Sequence, residues 1–127
     1  MQNTKKLGRQ ESTRDADLKV FDLSSAISQT ETQETWSLRD RSALTLGREA
    51  GLHVTLIAMH AGTTKPWHAV ECPISLQVLQ GRLDFITDAE TVPLKQGGLI
   101  VLRAGVRHHM RVHEESVILL SLGAAAK

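Results

Sequence analysis

In the segment ISLQVLQ, residues 74–80, Ile74, Leu76 and Val78 alternate with Ser75 and Gln77, and the alternation stops at Gly81. A period of two sends alternate side chains to opposite faces, so this segment predicts a strand with one face in a core. RLDFI, 82–86, repeats the pattern, and LHVTLIAMH, 52–60, is a denser apolar run ending at Ala61-Gly62. SALTL (42–46), VPL (92–94), LIVL (99–102), HHMRV (108–112) and VILLSL (117–122) are further short runs, separated by the turn signals TDAET, KQGG, RAG and HEES. Short strands, frequent turns and no 3.6-residue period predict an all-β antiparallel sandwich or barrel from residue 42 onward. LKVFDL, 18–23, also alternates and predicts a strand. SSAISQTETQETWSL, 24–38, holds few large apolar residues and predicts a loop with one helical turn around Ser24 to Ile27. Trp36 stands out there as an anchor, on the barrel or on a second subunit.

Composition narrows the class. At 127 residues with 41% hydrophobic, the chain suits one domain with a real core, here 18–123 with its barrel at about 42–122. Residues 1–17 are polar and charged, and predict a mobile tail. Its Lys5, Lys6 and Arg9 are offset by Glu11, Asp15 and Asp17. Fifteen Lys+Arg against 14 Asp+Glu argue against a nucleic-acid partner, and 3% aromatics offer no platform for stacked bases. No apolar run reaches the roughly 20 residues of a membrane span, and the first residues lack a secretory h-region, so a cytoplasmic location is expected. The single cysteine, Cys72, precludes an internal disulfide.

Two stretches carry the chemistry. Gly62 to Gly81 includes Pro66-Trp67-His68 before an apolar strand, and Gly97 to Val112 places His108 after Gly105. By parity His108 shares a face with Met110 and Val112, while His109 and Arg111 take the other. His68 and Val70 share a side if their strand keeps register. Two histidines arriving from two strands predict one shared pocket.

At these residues the chain resembles the cupin superfamily. Gly62, His68 and Gly81 fall on the family's first motif, G-x5-H-x-H-x3-4-E-x6-G, and Gly97, Gly105 and His108 on its second, G-x5-P-x-G-x2-H-x3-N. The resemblance implies a small jelly-roll β-barrel with an internal pocket, usually dimeric. The departures are equally informative. Val70 stands for the second histidine, Ile74 for the glutamate, Arg103 for the proline and Val112 for the asparagine. The resemblance thus implies a metal set reduced to His68 and His108.

A divalent metal such as zinc, nickel or iron wants about three protein ligands, so a third must come from Glu71, Cys72 or His60, or there is no metal. Without one, the two histidines line a ligand pocket with Val70, Ile74, Trp67, Met110 and Phe85, or act as acid and base. Trp67 is placed to stack on a ligand or to anchor the barrel mouth, and Arg103 and Arg107 to meet an anion at the rim or solvent. His53, His60 and His113 read as structural or exposed. The leading reading is a small-molecule binding module. A metal-dependent dioxygenase or isomerase, a metal-free isomerase and a purely structural dimer are the alternatives. Exposed edge strands, 18–23 among them, point to a homodimer.

Overall fold

The alternation at 74–80 becomes a strand because a second sheet covers one of its faces. The computed structural model describes residues 17–124. Nine strands follow two short helices: α1 (Leu23–Glu31), α2 (Glu34–Leu38), β1 (Arg41–Glu49), β2 (Leu52–Met59), β3 (Thr64–His68), β4 (Ile74–Gln80), β5 (Arg82–Thr87), β6 (Thr91–Lys95), β7 (Leu99–Leu102), β8 (His108–Val112) and β9 (Ser116–Gly123). One sheet has the order β1-β2-β9-β4-β7, the other β3-β8-β5-β6, and every pairing is antiparallel. From β2 to β9 the chain passes repeatedly between the sheets, as in a jelly roll. The two sheets face each other without closing into a continuous barrel.

The core between them holds Ile57, Met59, Leu76, Val78, Leu83, Phe85, Met110, Val112 and Ile118. A second apolar layer lies on the outer face of the larger sheet, where Leu44, Leu46, Leu56, Ala58 and Val117 meet Ala26 of α1, with Phe21, Ile27 and Trp36 packed against them. Leu56 pairs with Leu119 while the next pair, Ile57 with Ile118, turns to the inner core. Strands buried on both faces read as continuous apolar runs, as β2 and β9 do.

Residues 18–23 depart from the expected strand. Leu18 to Asp22 form no sheet pairing, Leu18 is 78% exposed, and Leu23 opens α1. Asp22 decides the matter by capping the helix: its carboxylate accepts from Ser24 N at 3.1 Å and Ser25 Oγ at 3.2 Å. Burial of Ala26 and Thr30 against the sheet then overrides the weak helix propensity of a Ser/Thr-rich segment. The tail expected at 1–17 lies outside the described residues except for Asp17. No helix among the described residues is long and apolar enough to cross a membrane.

Trp36 fastens α2 to the sheet. Its ring stacks on His60 with centroids 3.7 Å apart. His60 Nε2 meets the Trp36 carbonyl at 2.6 Å and Nδ1 meets Glu115 Oε2 at 2.9 Å. Both partners are acceptors, so the doubly protonated ring satisfies both at once. The Trp36 carbonyl, and then Glu115, raise the His60 pKa above 6.5.

Gly81 is the one-residue corner from β4 to β5, and so from one sheet to the other. Its φ is +92°, and a Cβ there would collide with Ser116 Oγ and the Glu115 carbonyl and come within 2.7 Å of Ser116 Cα. Gly105 has φ +83° and open space around it.

Two predictions arise here. Gly105→Ala pays only for its dihedral, about 1–2 kcal/mol, whereas Gly81→Ala adds overpacking of a further ~1–3 kcal/mol. Urea unfolding of both variants checks this, and equal losses would refute the corner's tightness. The second prediction concerns the α2 latch. A raised folded pKa gives stability that is fully present below 6.5 and is lost as pH rises through the folded value. The stability gap between wild type and His60→Gln is therefore widest at mildly acid pH and narrows above neutrality. A gap that widens with rising pH would contradict the charged latch.

Candidate functional site

Strand β8 sends His108, Met110 and Val112 inward, where they pair with Thr87, Phe85 and Leu83 of β5. On its other side β8 meets β3, with Lys65 opposite Met110 and His68 opposite His108. Residues that pair directly share a face, so Lys65 and His68 both point inward. They are three positions apart, which strict alternation forbids. A bulge at Pro66-Trp67 absorbs the extra residue. Proline suits that place because it has no N–H to give to the ladder.

The imidazoles of His68 and His108 then face each other with centroids 4.4 Å apart, and His108 also stacks on Phe85. His68 Nδ1 lies 3.3 Å from the Pro66 carbonyl and His108 Nδ1 lies 3.0 Å from that of Val106. A carbonyl only accepts, so each neutral ring carries its proton on Nδ1 and leaves Nε2 as a lone pair. His108 is buried, and this desolvation pulls its pKa below 6.5. The Val106 bond opposes the shift, and His68, Lys65 and His109 add to it. Lys65 is half-buried, and its pKa is likewise lowered, first by burial and then by Arg41, against a smaller pull from Asp40.

These groups stand at a cavity of about 40 Å³ between the sheets. His68, Val70, Ile74, Phe85, His108 and Met110 all line it, together with Lys65, His109 and the apolar Leu76, Ile118, Leu120 and Leu122. The pocket expected of two strands' histidines is therefore assembled from two sheets. A larger hollow of about 920 Å³ lies on the outer side, between residues 17–23 and the sheet. It holds no histidine, and its Lys19 is paired with Glu49, whereas His68 and His108 stand at the small cavity.

Trp67 is not in that cavity. As the neighbour of inward-facing His68 it points outward, where Arg107 Cζ lies 4.1 Å from its ring centroid and His109 tilts against it at 4.3 Å. Arg107 is held there by Asp88 at 3.0 Å. Glu71 and Arg103 are exposed, Cys72 is half-buried, and none of them lines the cavity. His60 belongs to the α2 latch, His113 pairs with Asp84 at 2.9 Å, and His53 sits half-buried in β2. His109, expected on the outer face, tilts against Trp67 yet also reaches the cavity's edge, and Lys65 is the second lining residue that the alternation conceals. Counted back from His68 it falls on the outer face, and only Pro66 signals the bulge that turns it in.

The residues do not fit a resident metal. Two Nε2 atoms with Nδ1 held by carbonyls suit ligation, but Val70 and Ile74 supply no third donor. Among the described residues no three His, Cys, Asp or Glu are grouped to share an ion. Lys65 brings a cation to the same space.

Residues 55–123 match a family model described as a cupin domain. No curated protein matches the chain. Among solved structures it is similar to a cupin-2 domain containing protein from Shewanella frigidimarina, with 18% identity over 82% of this chain and 94% of that one, and TM-score 0.67. A conserved protein of unknown function from Streptococcus pyogenes is 23% identical over 68% of this chain and 76% of its own, with TM-score 0.63. A salicylate 1,2-dioxygenase from Pseudaminobacter salicylatoxidans is 16% identical over 66% of this chain and 26% of its own, with TM-score 0.62. At such identities the likeness concerns the fold.

Proposed function

The chain belongs to the cupin domain family, and from that premise we propose that it is a small-molecule binding module whose cavity works without a resident metal. The observation that carries this reading is the convergence of Lys65, His68 and His108 on one apolar-floored cavity, with both Nε2 atoms unbonded among the described residues. Polar groups kept at an apolar pocket orient a ligand. The dioxygenase or metal-isomerase reading lacks its third ligand. The metal-free isomerase reading has two imidazoles but no carboxylate orienting either one.

The test is a pair of measurements on the full chain. Protein exposed to zinc, nickel and iron and then dialysed retains no stoichiometric metal by elemental analysis. A panel of neutral, cationic and anionic fragments of up to six heavy atoms contains members that shift the His108 ring resonances. Retained stoichiometric metal, or a His108 signal that no fragment moves, overturns the reading.

We also propose a homodimer. Residues 18–23 form no strand, and the edge that supports a dimer is β7, paired only with β4. Leu99 and Val101 on β7 are 57% and 75% exposed. Such an edge invites a second copy. Light scattering gives about twice the 14.0 kDa chain mass, and Val101→Lys returns it to the single mass. A wild-type monomer at all concentrations rules the dimer out.

A further inference from the structure

Four observations restrict what the cavity can hold. No Asp or Glu lines it, although Lys65 does. The Lys65 ammonium is half-buried and makes no hydrogen bond or ion pair among the described residues; the Asp40 carboxylate attracts it less than Arg41 repels it. A half-buried cation without a partner calls for an anion. One lysine and no arginine in the lining match a single negative charge, and apart from His68, His108 and His109 the remaining walls are apolar.

The imidazoles add a second requirement. Their Nδ1 protons are spent on the Val106 and Pro66 carbonyls, so their Nε2 atoms accept and do not donate. A plain carboxylate has only acceptor oxygens and would set lone pair against lone pair there. A hydroxyl donates to such a nitrogen. His108, the buried member, needs that donor most, since His68 is exposed and can turn to water. Size supplies the third requirement. A water needs at least about 10–15 Å³, so 40 Å³ admits only a few heavy atoms, far short of a drug-sized ligand.

We propose that the cavity takes a small hydroxy-monocarboxylic acid of about two or three carbons, its carboxylate on Lys65 and its hydroxyl on His108 Nε2. The proposal rests on the binding-module reading above and names its ligand class. Charge and hydrogen-bond direction act together: the carboxylate neutralises the half-buried ammonium, and the hydroxyl satisfies the buried imidazole. An analogue missing either group leaves one protein group unsatisfied.

The experiment is titration of the wild-type chain with glycolate, lactate, propionate, lactamide and propane-1,2-diol, followed by calorimetry and by the His108 ring resonances. Glycolate or lactate binds at least about tenfold more tightly than propionate, lactamide or the diol, since leaving a charged or buried group unpaired costs at least one factor of ten. Lys65→Met, shown to be folded by its melting curve, loses about tenfold for the hydroxy acid and nothing for the diol. Propionate binding equally well overturns the role of the hydroxyl, and lactamide binding equally well overturns that of the carboxylate. Either result leaves the cavity as a binding site. If none of the five moves His108 while some other fragment does, the ligand class is wrong and the module reading stands. If nothing moves His108, the module reading itself falls.

Discussion

The corner at Gly81 and Ser116 is the contact on which the two-sheet arrangement depends. Here β4 leaves one sheet for the other in a single residue, and the chain returns through residues 113–116 to begin β9. The two crossings touch. Arg82 N donates to Ser116 Oγ at 3.1 Å, and His113 N donates to the Arg82 carbonyl at 2.9 Å. The absence of a side chain at Gly81 lets the crossings come this close. The distance between the sheets, and hence the depth of the cavity between them, is set from this end.

Lys65, His68 and His108 gather at the cavity between the sheets. The Gly105 amide donates to the Val70 carbonyl at 2.8 Å, joining the two glycine-bearing stretches beside the cavity. Val70 and Ile74 fill positions from which a metal-binding relative would extend ligands. The result is a pocket with an apolar floor and a basic mouth. A metal site needs at least a third donor beside the two imidazoles, and the nearest acid in sequence, Glu71, stands in solvent. Burial of His108 and the cation of Lys65 act in the same direction, keeping the buried imidazole neutral.

Much of this was legible in the sequence, for a physical reason. Strands β4 and β5 each have one covered face, so their alternation names both the element and its inward residues. His108 was likewise identified by its apolar neighbours Met110 and Val112. What escaped the pattern lies where a neighbour overrides it. Residues 18–23 alternate, but no strand stands beside them, and the Asp22 cap turns the chain into a helix instead. Lys65 escapes because of the bulge at Pro66-Trp67, for which parity counting has no term, whereas Trp67 was assigned to the pocket against an alternation that already sets it opposite His68. Pro66 was visible as a strand-breaker, yet nothing local says how many residues the break absorbs. The pairing of β3 with β8 settles that.

The strand order β1-β2-β9-β4-β7 also bears on how the chain is made. Strand β9, at 116–123, lies in the middle of its sheet, hydrogen-bonded to β2 on one side and β4 on the other. Partners up to 71 residues apart must therefore meet, as Leu52 does with Gly123. Topologies dominated by such distant pairings fold slowly. During synthesis β2 and β4 emerge well before the strand that separates them. Until then each presents an unpaired, largely apolar edge, so the nascent chain depends on shielding from other chains until its last strand is released.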